Sequence, residues 1–362
     1  MSDAPAVITR AAGLPPLLVD ATHLGRHVTG IERITEELFS PTALAPFAVH
    51  HVRAPLPGVA GLIAGQQVRL PWRLLRQRRA IGLFPGFPPA PLATAFGARV
   101  VPYVHDLFPL LRAEELSMKA RHYIAPALRR AVSRLPRFMV NSEKTAAQLR
   151  RYCRADAAIH LYRPAVRNVF GVSDADRAER EEAPRPLHLL AIGTLEPRKN
   201  LTAAAEITTA LNARGMAARL DIVGRPGWGG VAEALTRRPH VHLHGYLETP
   251  RLRRMLQAAD VFITTSHDEG LGLPLLEAQY AGLPVVAPDR PVFREVLGGS
   301  GVWIDPADAA TAAERIAALI AGSGWRRRHL ELARANIRRW NEQARRDHAA
   351  IIDMLLSLAT GD

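Results

Sequence analysis

The sequence predicts an α/β protein of two Rossmann-like domains of similar size with a cleft between them. Three observations carry that expectation. Short apolar, β-branched segments alternate with amphipathic ones along most of the chain, the signature of a parallel sheet with helices on its faces. The 362 residues, 48% of them hydrophobic, suffice for two ordinary domains. A polar, proline-ended stretch, GVSDADRAEREEAPRP, interrupts the pattern near the middle and reads as a linker. The expected division is therefore a first domain over 1–172, a linker over 173–186, a second domain over 187–338, and a C-terminal helix over 339–362.

In the first half, PPLLVDAT reads as a strand, HLGRHVTG as a loop and IERITEELF as a helix. ARVVPYVHDLFPL follows as strand and loop, PALRRAVSRL as a helix opened by its proline, RFMVNS as a strand and EKTAAQLRRY as a helix. The proline- and glycine-rich stretch at 53–97 gives no clear assignment. In the second half, LHLLAIG, ARLDIVG, VHLHGY, VFITTS and LPVVAP read as strands. Asn200 is placed to cap the helix LTAAAEITTALNARG with its side chain. From Trp325 to Leu358 runs a long amphipathic helix or a helix pair.

The totals narrow the function classes. One cysteine, Cys153, allows no intrachain disulfide, so a reducing, cytoplasmic compartment is the expectation. The opening MSDAPAVITRAAG has no apolar core, so no signal peptide is expected, and no window is apolar enough to span a membrane. The formal charge of +13 points to an anionic partner. It is unevenly placed: residues 1–180 carry 25 Lys and Arg against 13 Asp and Glu, residues 181–362 carry 22 against 21.

The stretch DEGLGLPLLEAQYAGLPVV, 268–286, carries the most chemistry. It reads as a glycine loop after a strand, then a helix with Pro274 in its first turn and left-handed Gly282 past its end. Glu269 lies in the loop and Glu277 about one turn into the helix. Ligands of open α/β sheets bind at this carboxyl edge. The backbone N–H groups of Gly270, Leu271, Gly272 and Leu273 open toward an anion. Carboxylates repel a phosphate but accept well from hydroxyls, so the implied ligand carries both. A sugar nucleotide fits; solvated surface carboxylates fit the same string.

In GTLEPRKN, 193–200, Arg198 and Lys199 stand between a strand and a helix, where a guanidinium fork and an ammonium would clamp a diphosphate. Two solvated basic residues would look the same. In VTGIER, Gly30 at a strand-to-helix loop allows close approach of a phosphate, or is a plain turn glycine. In YVHDLFPL, His105 could bond a sugar hydroxyl or a leaving phosphate, or simply the backbone. No G-x-G-x-x-G or P-loop is present. The Asp-Ala-Asp of 174–176 lies in the expected linker, and no Cys/His cluster has zinc spacing. No metal and no cofactor are expected.

With these motifs in order, the chain resembles the retaining glycosyltransferases of family four, which have the GT-B fold. DEGLGLPLLEA resembles their E-x7-E signature and GTLEPRKN their R-K-N segment. TGIER, VHDLFPL and VNSEKTAAQL resemble segments of their first domain, and RRWNEQARRDHAAII their C-terminal helix, which implies that the helix over 339–362 returns to the first domain. The likeness covers most of the chain apart from 50–97 and the linker. It implies that Arg198 and Lys199 hold the diphosphate and that Glu277 takes the ribose hydroxyls. Glu269 and the N–H groups after it would hold the donor sugar, Gly30 would approach the diphosphate, and His105 the sugar. Glu269, His105, Arg198 and Lys199 would then be the catalytic set, acting by front-face attack without metal. Where the family often has an aromatic residue after its Glu-Gly, this chain has Leu271.

The resemblance extends to mannosyl- and rhamnosyltransferases of bacterial surface polysaccharides. It implies transfer of a hexose, such as mannose from GDP-mannose, to a hydroxyl of a lipid-linked or growing glycan. Two rivals stand beside it. A sugar-nucleotide epimerase of the same fold would have no acceptor site. A nucleic-acid binder would interleave aromatics with its arginines, yet aromatics are only 6% of the chain, so no nucleic-acid partner is expected. An anionic membrane surface is the other expected partner. In VRLPWRLLRQRR, 68–79, Trp72, Leu74 and Leu75 would segregate on a helix from Arg69, Arg73, Arg76, Arg78 and Arg79. That would place the protein at the inner face of the cell membrane.

Overall fold

The computed structural model describes residues 13–25, 30–111, 118–174 and 186–361. The N-terminal residues, part of the VTGIER motif, most of the expected linker and two of the three Asp-Ala-Asp residues lie outside them. The chain divides into two units, 1–164 with 343–362, and 165–342.

The first unit holds a six-stranded parallel sheet. Its strands are β1 (Leu17–Asp20), β2 (Val49–Val52), β3 (Ile81–Phe84), β4 (Val100–Val104), β5 (Arg137–Val140) and β6 (Ala158–Leu161), in the order β2-β1-β3-β4-β5-β6. The order reverses between β1 and β3. Leu18, Phe84, Val104 and Phe138 from four strands share one core with Leu70, Leu74 and Leu128 from the helices.

The second unit holds β7 (Leu187–Ile192), β8 (Ala218–Val223), β9 (Val241–Leu243), β10 (Val261–Ile263), β11 (Val285–Pro288) and β12 (Gly301–Ile304). Their order is β12-β11-β10-β7-β8-β9, all parallel, so direction reverses between β7 and β10. Successive side chains of a strand point to opposite faces. Leu190 and Phe262 enter one core with Val285, Phe293 and Trp340. Leu189, Ala191, Val261 and Ile263 enter the other with Leu201, Ile207 and Ile316. Burial on both faces explains why these strands read as continuous apolar runs.

The two Rossmann-like domains and the returning helix are as expected. The last segment is one helix, Trp325–Thr360, rather than a pair. Its final turns belong to the first unit, where Asp347 takes Arg163 Nη1 at 2.8 Å and His348 Nε2 bonds the Ala43 carbonyl at 2.6 Å. Arg163 is buried, and its Nη2 also reaches Glu143 at 3.1 Å. Two carboxylates on one buried guanidinium offset its desolvation.

Three local expectations are corrected, and one unassigned stretch gains its elements. The helix expected to open at Pro126 spans Met118–Arg134 with Pro126 inside it; surrounding packing overrides the lost hydrogen bond. The unassigned 53–97 stretch contains helices Gly58–Ala64 and Leu70–Arg76, a π turn Gly65–Arg69 and strand β3. Leu74 faces the core and is fully buried, so it does not share the outer side with Trp72 and Leu75. Asn200 precedes helix Leu201–Ala213 in a left-handed conformation (φ 47°), without a side-chain cap; Asn tolerates that region better than most residues.

Trp340 is completely buried among Phe293, Val296 and Leu276. Trp340→Ala removes the largest side chain of that core. It is expected to cost about 3–5 kcal/mol, read as a shift in the denaturant midpoint, whereas Trp72→Ser at an exposed position is expected to leave the midpoint nearly unchanged.

Candidate active site

The loops after β7 and β10 leave adjacent strands at the point where sheet order reverses, the position where open α/β sheets take ligands. They are stitched together by bonds to backbone. Thr265 Oγ1 donates to the Asn200 carbonyl at 2.7 Å, and the His267 N–H donates to the Arg198 carbonyl at 2.9 Å. Under them lies the glycine-rich loop after β8. A Cβ at Gly224 would stand 1.8 Å from the Gly193 carbonyl oxygen, and one at Gly227 2.5 Å from that of Leu195. Only glycine lets the two loops approach so closely. The repeated glycines of GRPGWGG carried that signal, and sequence reasoning missed it.

The stitching brings Arg198, Lys199 and Glu269 together. Lys199 Nζ donates to Glu269 Oε1 at 2.5 Å, Arg198 Nη1 to Oε2 at 3.1 Å, and Ser266 Oγ to Oε1 at 2.9 Å. Arg198 Nη1 also donates to the Asp268 carbonyl at 2.8 Å, and its Nη2 to Glu196 at 2.7 Å. Glu196 and Ser266 were not singled out from the sequence. Burial alone would raise the Glu269 pKa. The Lys199 and Arg198 charges, with hydrogen bonds from Lys199 and Ser266, outweigh burial and bring it from 4.5 down to about 2. Glu269 is thus a fixed anion, and the two cations are held in place by it.

The rest of the glycine loop continues into helix Leu273–Tyr280. Gly272 stands before it with φ 90°, and Gly282 follows with φ 67°. Leu271 is buried in the same core as Leu275 and Leu276, so its side chain is structural and only its backbone faces outward chemistry. Gly270 and Gly272 flank it in the loop, and Leu273 begins the helix, packed partly against that core. Glu277 lies in the second turn and is buried.

The first unit has its own open edge. His105 follows β4, and its Nε2 is 2.6 Å from the Pro85 carbonyl, which follows β3. A carbonyl only accepts, so Nε2 carries the proton and Nδ1 is the acceptor. Burial lowers the His105 pKa, against the Pro85 bond and the Asp106 charge, so the ring is neutral. It borders an apolar cavity of about 170 Å³ with Phe87, Pro102, Pro109 and Ile124. Gly30 opens helix Gly30–Leu38, with no atom within 4 Å of where a Cβ would stand. At the end of β1, buried Asp20 accepts from Thr22 Oγ1 at 2.7 Å and from Gln66 Nε2 at 3.1 Å. That network was also missed, because Gln66 lies in the stretch the sequence left unassigned. Among the described residues, no group of three or more His, Cys, Asp and Glu side chains is placed to hold a metal.

The folded-state pKa of Glu269 lies below its unfolded value, so its contribution to stability is complete above pH 4.5 and is lost as pH falls toward about 2. Glu269→Gln is expected to flatten that part of the stability curve while lowering stability at neutral pH, where two cations lose their anion. Denaturant titrations at a series of pH values measure both changes.

Residues 172–339, which contain both loops, match the family model of glycosyl transferases group 1. The O-antigen chain mannosyltransferase B of Escherichia coli is 32% identical over 145 residues, 38% of either chain. A D-inositol 3-phosphate glycosyltransferase of Xylanimonas cellulosilytica is 38% identical over 139 residues, 36% of this chain and 32% of its own. The chain thus spans well under half the length of these curated relatives. The likeness in fold reaches further. Sucrose-phosphate synthase from Thermosynechococcus elongatus superposes with a TM-score of 0.69 at 16% identity, covering 96% of this chain and all of its own. The chain therefore has a GT-B-type fold of two Rossmann-like domains, and its residues 172–339 are similar to glycosyl transferases group 1.

Proposed function

We propose that the protein transfers a hexose, with retention of anomeric configuration, from a nucleoside diphosphate sugar to a hydroxyl of a lipid-linked or growing glycan. The observation that carries this reading is the Arg198–Lys199–Glu269 cluster at the reversal point of the second sheet. When the bond from the anomeric carbon to the diphosphate breaks, the electron pair leaves with the diphosphate. Cations already held in position stabilise that charge without reorganising, so no metal is needed. Lys199, with three donors, can keep Glu269 and turn another N–H to a phosphate oxygen. Arg198, with its fork on Glu196, Glu269 and the Asp268 carbonyl, braces the 268–269 loop and adds its positive charge beside Lys199. The acceptor proton passes to the departing phosphate oxygen as the new glycosidic bond forms on the same face.

Glu277 takes the ribose hydroxyls, and the N–H groups of Gly270 to Leu273 face the sugar with Glu269 behind them. His105, neutral, offers Nδ1 as acceptor to a sugar hydroxyl, and Gly30 gives a phosphate close access to the backbone. The sugar is read as mannose, because a relative is an O-antigen chain mannosyltransferase.

Arg198→Ala removes charge-assisted bonds worth about 1.5–3 kcal/mol, so kcat/KM is expected to fall at least tenfold in a protein that remains folded. Near-normal turnover would refute the clamp. The two glutamates separate by calorimetry. Glu277→Gln is expected to weaken binding of the bare nucleoside diphosphate. Glu269→Gln is expected to impair transfer more than that binding. Equal losses in both variants would show that the roles are misassigned.

A further inference from the structure

Between Glu37 and Asp106 the chain has no acidic residue, yet it has seven arginines: 53, 69, 73, 76, 78, 79 and 99. Within this span, residues 56–76 form a continuous apolar stripe on the outside of the first unit. Leu56, Val59, Ile63, Val68, Trp72 and Leu75 are all exposed, Val68 by 65%, Trp72 by 52% and Leu75 by 63%. Their spacing has a structural cause. Val68, Trp72 and Leu75 follow at four and three residues, as on an α-helix. Ile63 precedes Val68 by five, a step taken through the π turn Gly65–Arg69, which keeps the stripe on one side. The opposite side, Leu62, Gln66, Leu70 and Leu74, is buried.

The stripe is bordered by cations. Arg69, Arg76, Arg78 and Arg79 are exposed, and the Arg76 guanidinium lies 4.8 Å from the Trp72 ring centre. Apolar side chains framed by arginines whose stems can lie along them suit the boundary between headgroups and acyl chains. Trp is at home at that depth. A protein partner would match the apolar stripe alone; the acid-free span matches an anionic surface as well.

We propose that the outer face of residues 56–76 docks on an anionic lipid bilayer. Its inner face is tied to the open edge of the first sheet. Gln66 Nε2 bonds Asp20 and Thr22 at the end of β1, each at 3.1 Å, and Tyr123 holds the Gln66 amide oxygen at 3.0 Å. Docking therefore fixes that edge against the surface from which a lipid-linked acceptor comes, a role that rests on the acceptor class proposed above.

Sedimentation with phosphatidylcholine vesicles, with and without phosphatidylglycerol, tests the surface. Binding is expected only with the anionic lipid and is expected to weaken with salt. The pair Arg69→Ser and Arg76→Ser should lower partitioning about fivefold per arginine. The pair Trp72→Ser and Leu75→Ser, at exposed positions, should lower it at unchanged Tm. Arg198→Ala should bind vesicles as the parent does. Equal binding to neutral vesicles, or parent-like binding by both patch variants, overturns the proposal. So does a dimer in solution that the Trp72 and Leu75 changes disperse, or an oligonucleotide bound in preference to vesicles. Vesicle binding without transfer to any lipid-linked acceptor would refute the proposed function and leave the docking surface standing.

Discussion

Glu269 is the carboxylate on which the open edge of the second unit depends. It is buried, and it remains an anion because Lys199, Arg198 and Ser266 converge on it. The same bonds hold the loop after β7 to the loop after β10. Without them, two neighbouring cations of one loop would lose their counter-charge, and the buried anion would have to neutralise by taking up a proton. One group thus solves two electrostatic problems, and its position follows from the strand order that makes β7 and β10 neighbours.

This arrangement also accounts for how two adjacent cations are accommodated in a partly buried loop. Arg198 and Lys199 are balanced by Glu269 and Glu196, so the cluster carries no large net charge when empty. The donors of Arg198 and Lys199 are oriented by Glu196, Glu269 and the Asp268 carbonyl in a partly buried place, where electrostatic interactions are stronger than in water. The Thr265 and His267 bonds to backbone, and the glycines at 224 and 227, limit how far the cations can drift.

What the sequence made legible was whatever is written locally. The Glu-Gly loop and the Arg-Lys-Asn loop could be placed at strand ends because glycine, proline and charge mark a strand-to-helix turn within a few residues. Pairings over long separations could not be read. Lys199 and Glu269 are 70 residues apart, and nothing near either one announces the other. Strand β3, IGLF, was lost among prolines and glycines, and β6, AIHL, is too short to show a period. Pro126 was read as a helix start because local propensity favours that position, and tertiary packing set the propensity aside. Leu74 stands two residues from Trp72 on the regular helix Leu70–Arg76, about 200° round the axis, so it faces the core and not the side of Trp72.

The two open edges differ in kind. The second unit's edge is ionic and polar, with backbone N–H groups beside fixed charges. The first unit's edge has a neutral histidine, an apolar cavity and a buried carboxylate satisfied by Thr22 and Gln66. The cations Arg198 and Lys199 stand on the former. The latter offers no comparable cation cluster among the groups described there, and its chemistry suits a molecule that brings hydroxyls and apolar surface. Arg69 and Arg76 lie instead exposed on residues 56–76, a segment joined to that edge through Gln66. Basic charge in this chain is therefore divided by role. In the second unit a small set is balanced by Glu196 and Glu269, and along residues 69–79 of the first an exposed set has no acidic residue near it in sequence.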